Sequence, residues 1–323
     1  QGSVKMNNIY VIVYILTFNY ISSPFIKYHF HENNNNFTID RTINRANSST
    51  LGKSLNKVYP TISFEPEVIA KELVFLENSI RELQSSDIKL PNIAHKQQVI
   101  YRKLSQNPEL TNLVISLLPK YNQQIATYHI EARRNFIELS KKYTLKDTLP
   151  AWKIVKPEPS QDLLSYYKKA ERSTGIEWEI LAAINLVESG MGRIVGKSVA
   201  NAQGPMQFLP STWNEKGVGL NGDINNPHDS IQAAARYLVL RGGLENIKKG
   251  LWGYNNSDNY VEAILAYAQI LRLDERAYKG FYHWEIHFRS LMGDIWLPVG
   301  YDQNEPLPIS SYLEIFPSGL SPN

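Results

Sequence analysis

Residues 178–190 read WEILAAINLVESG, and residues 191–213 continue as MGRIVGKSVANAQGPMQFLPSTW. Ile180, Ala183, Ile184 and Val187 recur at helical spacing and define a buried face, and Gly190 supplies the stop. Glu188 therefore falls in the last turn of an otherwise apolar helix. The helix dipole disfavours a carboxylate there and apolar neighbours penalise its charge, so both effects raise its pKa. A raised carboxyl pKa suits a general acid near neutral pH. By position alone the same residue also reads as an exposed helix-end Glu that meets water. Beyond Gly190 the sequence is rich in Gly and polar residues and has no helical period until about Pro210.

Upstream, Ser160 is placed to cap a helix through QDLLSYYKKAERST, ended by Gly175. Pro157 and Pro159 in KPEPS mark a boundary before it. Four more helices are expected earlier in the chain. The first starts at Pro66 and carries Ile69, Leu73, Leu76, Ile80 and Leu83 on one face; the second carries Ile93, Val99, Ile100 and Leu104. The third opens at Asn107-Pro108, a capping residue followed by Pro in the first turn. The fourth covers roughly 122–142 with Ile125, His129, Ala132, Phe136 and Leu139 on one stripe. Nothing in 66–150 has catalytic spacing, so these helices are read as packing. From Ile9 the run IYVIVYILTF, extended through Ile26, has the character of an export signal or membrane anchor, or alternatively of a buried strand. The Asn-rich stretch from His31 toward Tyr59 has too few periodic apolar residues to offset its ordering entropy and reads as a tether.

Composition narrows the function. Of 323 residues, 43% are hydrophobic and 20% charged, enough to bury a core over most of the chain. Lys plus Arg number 34 against 31 Asp plus Glu, and a net charge of +3 is too small to argue for nucleic acid. There is no cysteine, hence no disulfide, thiolate metal site or cysteine nucleophile. No Gly-rich phosphate loop and no nucleophile-elbow serine is present.

Three groups of residues, taken in order, resemble the signatures of soluble-type (SLT) lytic transglycosylases. They are Glu188-Ser189, the run Ala202-Gln203-Gly204-Pro205-Met206-Gln207, and Tyr254-Asn255. The family typically shows Glu-Ser, then Gly-Leu-Met-Gln, then Ala-Tyr-Asn. Here Gln207 lies 19 residues beyond Glu188, Pro205 replaces Leu and Gly253 replaces Ala. The run GPMQFLP resembles a variant found in related bacterial sequences. NPHDSIQAAARYL resembles the helix between the second and third signatures. The resemblance covers about 151–300 and implies an all-α, lysozyme-like fold, shared with goose-type lysozymes, that cuts peptidoglycan glycan strands.

The resemblance also implies a mechanism. Ordinary glycoside hydrolysis uses two carboxylates, whereas the family implies one carboxyl group, Glu188, acting first as acid and then as base. The product would be a 1,6-anhydro sugar, with the substrate's own acetamido group assisting. Ser198, Met206, Gln207, Tyr254 and Asn255 would bind the glycan, with the Tyr254 hydroxyl close to Glu188 and Ser198 near the acetamido group. Goose-type lysozymes carry aspartates at the positions of Ser198 and Leu209, so their absence here favours the lyase. Asp223, Asp229 and Asp258 remain alternative sources of a second carboxylate for a muramidase. A catalytically idle peptidoglycan-binding protein is the reading from another class. Trp178, Phe208 and Trp213 read as core rather than sugar platforms.

His283 and His287 stand four apart in YHWEIHF, which on a helix would share a face, but a zinc site needs a third ligand and no His-Glu-x-x-His motif is present. No metal or cofactor is expected. The expected organisation is a signal or anchor at 1–27, a linker at 28–62, a helical extension at 63–150, a catalytic domain at 151–301 and a tail at 302–323. The protein is expected in the cell envelope, anchored or secreted.

Overall fold

The computed structural model describes residues 58–322. The apolar segment 9–26 and most of the Asn-rich linker lie outside the described residues. Among the described residues no helix is long and apolar enough to cross a membrane.

The chain is predominantly helical, as the apolar periodicity requires. Helices α1 (Pro66–Glu82), α2 (Leu90–Gln106), α3 (Pro108–Leu117) and α4 (Lys120–Ser140) come first. Asn107 caps α3, its side chain accepting from Leu110 N at 3.0 Å, and Pro108 fills the first turn where no N–H is needed. Three short strands interrupt the next stretch: β1 (Thr148–Leu149), β2 (Lys153–Ile154) and β3 (Ile194–Val195). Around β3 lie α5 (Ser160–Thr174), α6 (Trp178–Ser189) and the single turn α7 (Pro210–Trp213). Ser160 is the first helical residue of α5 rather than its cap; Pro159 precedes the helix and no side chain caps it. The helices α8 (Pro227–Leu240), α9 (Ile247–Tyr254), α10 (Asp258–Leu273) and α11 (Tyr278–His283) follow.

The helix α6 is buried on every side, with only Glu179 reaching partial exposure. The sequence pattern implied one buried face; the other faces are covered because α5, α8 and α10 surround the helix. The helix α10 is packed along α4 and also against α6. Ile125, Ala132 and Phe136 of α4 consequently share one core with Leu181, Val187, Ile264 and Tyr267. A second core of Ile69, Leu73, Tyr101, Leu104 and Ile130 holds α1–α4 together.

The chain then forms an antiparallel hairpin, β4 (Ile286–Ser290) and β5 (Gly293–Leu297), paired from Ile286↔Leu297 to Ser290↔Gly293. This corrects the helical reading of YHWEIHF: His283 ends α11, whereas His287 lies on β4. Residues beyond the hairpin supply β6 (Leu307–Pro308), which pairs with β1, and α12 (Ile309–Ile315). Trp152, Phe288, Trp296, Tyr312 and Phe316 gather there in a third core that also takes Tyr59.

Candidate active site

Glu188 occupies the penultimate position of α6, and Gly190 ends the helix in the left-handed region at φ 61°. The side chain is fully buried, which removes the reading of a solvent-exposed helix end. Burial raises its pKa from 4.5 to about 8, against a smaller lowering by a hydrogen bond from Tyr260. The Tyr260 hydroxyl donates to Glu188 Oε1 at 2.8 Å. Glu188 Oε2 has no partner among the described residues. A buried oxygen without a partner is open to a hydrogen bond from a bound group. At neutral pH the group is a protonated acid with one face uncommitted.

Opposite α6 the chain folds back in a tight turn. Gln203 and Phe208 pair as a β-bridge, and Gln207 N donates to Gly204 O at 3.0 Å. Gly204 has φ 75°, and a Cβ there would fall 1.9 Å from Ile224 O, so only glycine fits. The next carbonyls are held individually. Pro205 O accepts from Asn185 Nδ2 at 2.8 Å and from Ser189 Oγ at 2.5 Å, both on α6. Met206 O accepts from the Tyr254 hydroxyl at 2.7 Å. The helix that carries Glu188 thus also fixes the turn that carries Gln207. Gln207 itself has φ 50°, a strained value for a residue with a side chain. Its Nε2 donates to Gly204 O at 2.9 Å, while Oε1 is buried without a partner among the described residues.

Each residue singled out from the sequence can now be located. Met206, Gln207 and Tyr254 are joined to α6 through this turn. The hydroxyl on the carboxyl group is that of Tyr260, however, and the Tyr254 hydroxyl is committed to Met206 O. The two rings stack, with centroids 6.4 Å apart and planes 6° apart. Burial and then the charge of Glu188 raise both phenols well above 10, so both remain donors. Asn255 caps the end of α9 and is buried. Ser198 belongs to a neighbouring loop, where its Oγ accepts from Ala202 N at 2.8 Å and Ala200 N at 3.1 Å. It has no hydrogen bond to Glu188 among the described residues. Trp178 and Phe208 are buried in the core, and Trp213 packs partly buried against it.

Residues 165–285 match the transglycosylase SLT domain. This stretch belongs to the SLT family. All the residues just described, from Glu188 to Tyr260, lie inside the SLT domain. A curated relative, the membrane-bound lytic murein transglycosylase F of Thiobacillus denitrificans (strain ATCC 25259 / T1), is 34% identical over 85 residues. That similarity covers 26% of this chain and 17% of the relative, so the chain spans about a sixth of the relative's length. No solved structure matches the chain.

Sequence reading missed Tyr260, Asn185 and, as a clamp, Ser189. Tyr260 lies 72 residues from the group it touches and no motif marks it. The Asn185–Ser189 pair did carry a signal: two polar side chains at helical spacing in an otherwise apolar helix must find buried partners.

Among the described residues no carboxylate joins Glu188. The influences on its pKa are burial and Tyr260 alone. Asp223 and Asp229 are tied together, Asp223 N donating to Asp229 Oδ2 at 3.0 Å, and Asp258 opens α10.

Proposed function

We propose that the chain is a lytic transglycosylase of peptidoglycan, cleaving the bond between N-acetylmuramic acid and N-acetylglucosamine with closure of a 1,6-anhydro ring. The observation that carries the proposal is a buried, protonated carboxyl group that, among the described residues, has one unpartnered oxygen and no second carboxylate acting on it. The SLT match and the printed name of the relative, a lytic murein transglycosylase, support the substrate class.

In this scheme Glu188 gives its proton to the glycosidic oxygen as the bond to muramic acid C1 breaks. The substrate's acetamido oxygen stabilises C1. The Glu188 carboxylate, steadied by Tyr260, then takes the proton of the muramic acid 6-hydroxyl as O6 bonds to C1. One group acts twice and water is not consumed. An intramolecular hydroxyl has a large proximity advantage over free water when the cleft holds the sugar in a reactive shape. Gln207, whose Oε1 has no partner among the described residues, would accept from a sugar amide or hydroxyl. Met206, Tyr254 and Asn255 would shape the same subsite, and Ser198 would approach it from its own loop. Residues 63–150 would act as a structural extension, and the N-terminal apolar segment as the means of placing the enzyme in the envelope.

The test is the product formed from purified peptidoglycan in ¹⁸O-labelled water. Unlabelled 1,6-anhydromuramic ends, roughly 18 Da lighter than hydrolysed ends because one water is missing, are expected. Labelled reducing ends as the main product would make the enzyme a muramidase, and no cleavage would leave a peptidoglycan-binding protein.

A further inference from the structure

At the junction of α2, α4, the end of α6 and β4 lies a cavity of about 40 Å³. Gln98, Arg102, Arg133, Leu186, Gly190 and His287 form much of its wall. A water needs roughly 10–15 Å³ of such space, so the cavity suits a small ion and has no room for a sugar or peptide.

Its wall carries two guanidiniums, Arg102 and Arg133, and one carboxylate, Glu285. Arg102, Arg133 and Arg193 are all buried, each at most 6% exposed. Arg102 is engaged by Asp294, which it holds far below the ordinary carboxylate range although burial alone would raise it. Glu285, on the cavity wall, acts electrostatically on Arg193. Arg133 joins none of the ion pairs among the described residues and its Nε has no hydrogen-bond partner there; the charge of Asp294, already paired with Arg102, acts on it more weakly than Arg102 does. Burial lowers Arg133 only to about 10, so it stays cationic. Burial, then Arg102, pushes His287 down to about 4, so the imidazole adds no charge and removes none. Tyr267 hydrogen-bonds Arg133, but a neutral hydroxyl cannot cancel a guanidinium. Asp294 is thus taken up by Arg102, Tyr59 and His287, and Glu285 accepts from Trp296 Nε1 and acts on Arg193, which lies off the wall, so the guanidinium of Arg133 has no carboxylate of its own among Phe136, Leu186 and Ile286. Uncompensated buried charge is strongly unfavourable, and the low dielectric of such walls strengthens attraction for a counter-charge.

We propose that this cavity is a buried binding site for a small monovalent anion of chloride size, held by the Nε–H of Arg133. It is separate from the proposed catalytic chemistry and does not depend on it. Because Leu186 and Gly190 flank Glu188 along the chain, a bound anion would hold the end of α6 in place.

The experiment compares thermal unfolding of the purified full chain in sodium chloride and in sodium gluconate at equal ionic strength. Crystals soaked in sodium bromide supply the second measurement. The expected results are a saturable chloride-specific rise of about 2–5 °C and a bromide anomalous peak in contact with Arg133 Nε. Arg133→Met should abolish both; should that variant not fold, the two wild-type measurements decide alone. Equal unfolding temperatures in the two salts would overturn the proposal. So would the lack of a peak, which would leave the cavity to water. A peak without a temperature effect would also overturn it, as an adventitious ion only.

Discussion

Glu188 combines a cost and a use. Burial that raises its pKa to about 8 favours the neutral acid in the folded chain, whereas the unfolded chain ionises near 4.5. Between those values the folded state holds the proton and the unfolded state does not. Its contribution to stability is therefore fully present below about 4.5 and is lost as pH rises through about 8, by up to ~1.4 kcal/mol per pH unit. Glu188→Gln should remove that dependence and make the protein more stable than the parent at pH 8 but not at pH 4.5, measured by urea unfolding at both. The same change should reduce turnover by ~10⁴-fold or more, because in the proposed mechanism one group supplies both proton transfers. Activity should fall as pH rises through about 8, where the acid is lost. The hydrogen bond from Tyr260 lowers the Glu188 pKa, so Tyr260→Phe should move that limb of the kcat/KM profile to higher pH. It should also slow turnover by about 10–10²-fold, the worth of a hydrogen bond to a charged group. An unmoved pH limb would assign Tyr260 to packing alone.

At the scale of elements, the decisive piece is the turn from Gln203 to Phe208, gripped by α6 through Pro205 O and by α9 through Met206 O. Its geometry rests on Gly204, whose missing Cβ lets Ile224 O approach. Gly204→Ala combines a left-handed backbone penalty of roughly 1–2 kcal/mol with a backbone overlap that side-chain motion cannot relieve. A loss of more than about 2 kcal/mol of unfolding free energy is expected, together with loss of turnover in the remaining folded fraction. Activity at the parent level in that fraction would show that the turn does not position the site.

Across the molecule, the segments outside the SLT domain are tied to its end by buried polar groups. Gln97 accepts from Trp284 Nε1 at 2.9 Å, and Gln98 exchanges two hydrogen bonds of 2.9 Å with the backbone of Glu285. Asp294 is shared by Arg102, by the Tyr59 hydroxyl at 2.8 Å and by His287 at 2.9 Å. Arg102→Ala would leave a buried carboxylate unpaired and should cost about 3–5 kcal/mol, read from denaturant unfolding. Tyr59 sets where the chain can be shortened. No candidate site residue lies in 1–57, so a chain beginning at Val58 should keep the proposed activity on peptidoglycan in solution. One beginning at Pro60 loses a buried ring and its hydroxyl bond to Asp294 and should unfold several degrees lower. Equal melting temperatures for the two would remove Tyr59 from this network.

The helical class was legible because apolar spacing is a local property: Ile69 to Ile80 and Ile125 to Leu139 mark their faces without reference to anything else. Helix ends were legible where a backbone requirement selects a residue, as at Asn107, Gly175 and Gly190. Glu188 was marked by its apolar helix, but only the surrounding helices decided that its carboxyl is wholly removed from water. The partner hydroxyl was decided by tertiary structure alone: the motif pointed to Tyr254 and none marks Tyr260, but their packing sends Tyr254 to Met206 O and Tyr260 to Glu188. The hairpin that separates His283 from His287 was hidden because the spacing of a short aromatic-rich run fits a helix or a strand. Local spacing fixes which residues share a face, whereas burial, pKa and hydrogen-bond partners depend on groups brought together from distant parts of the chain.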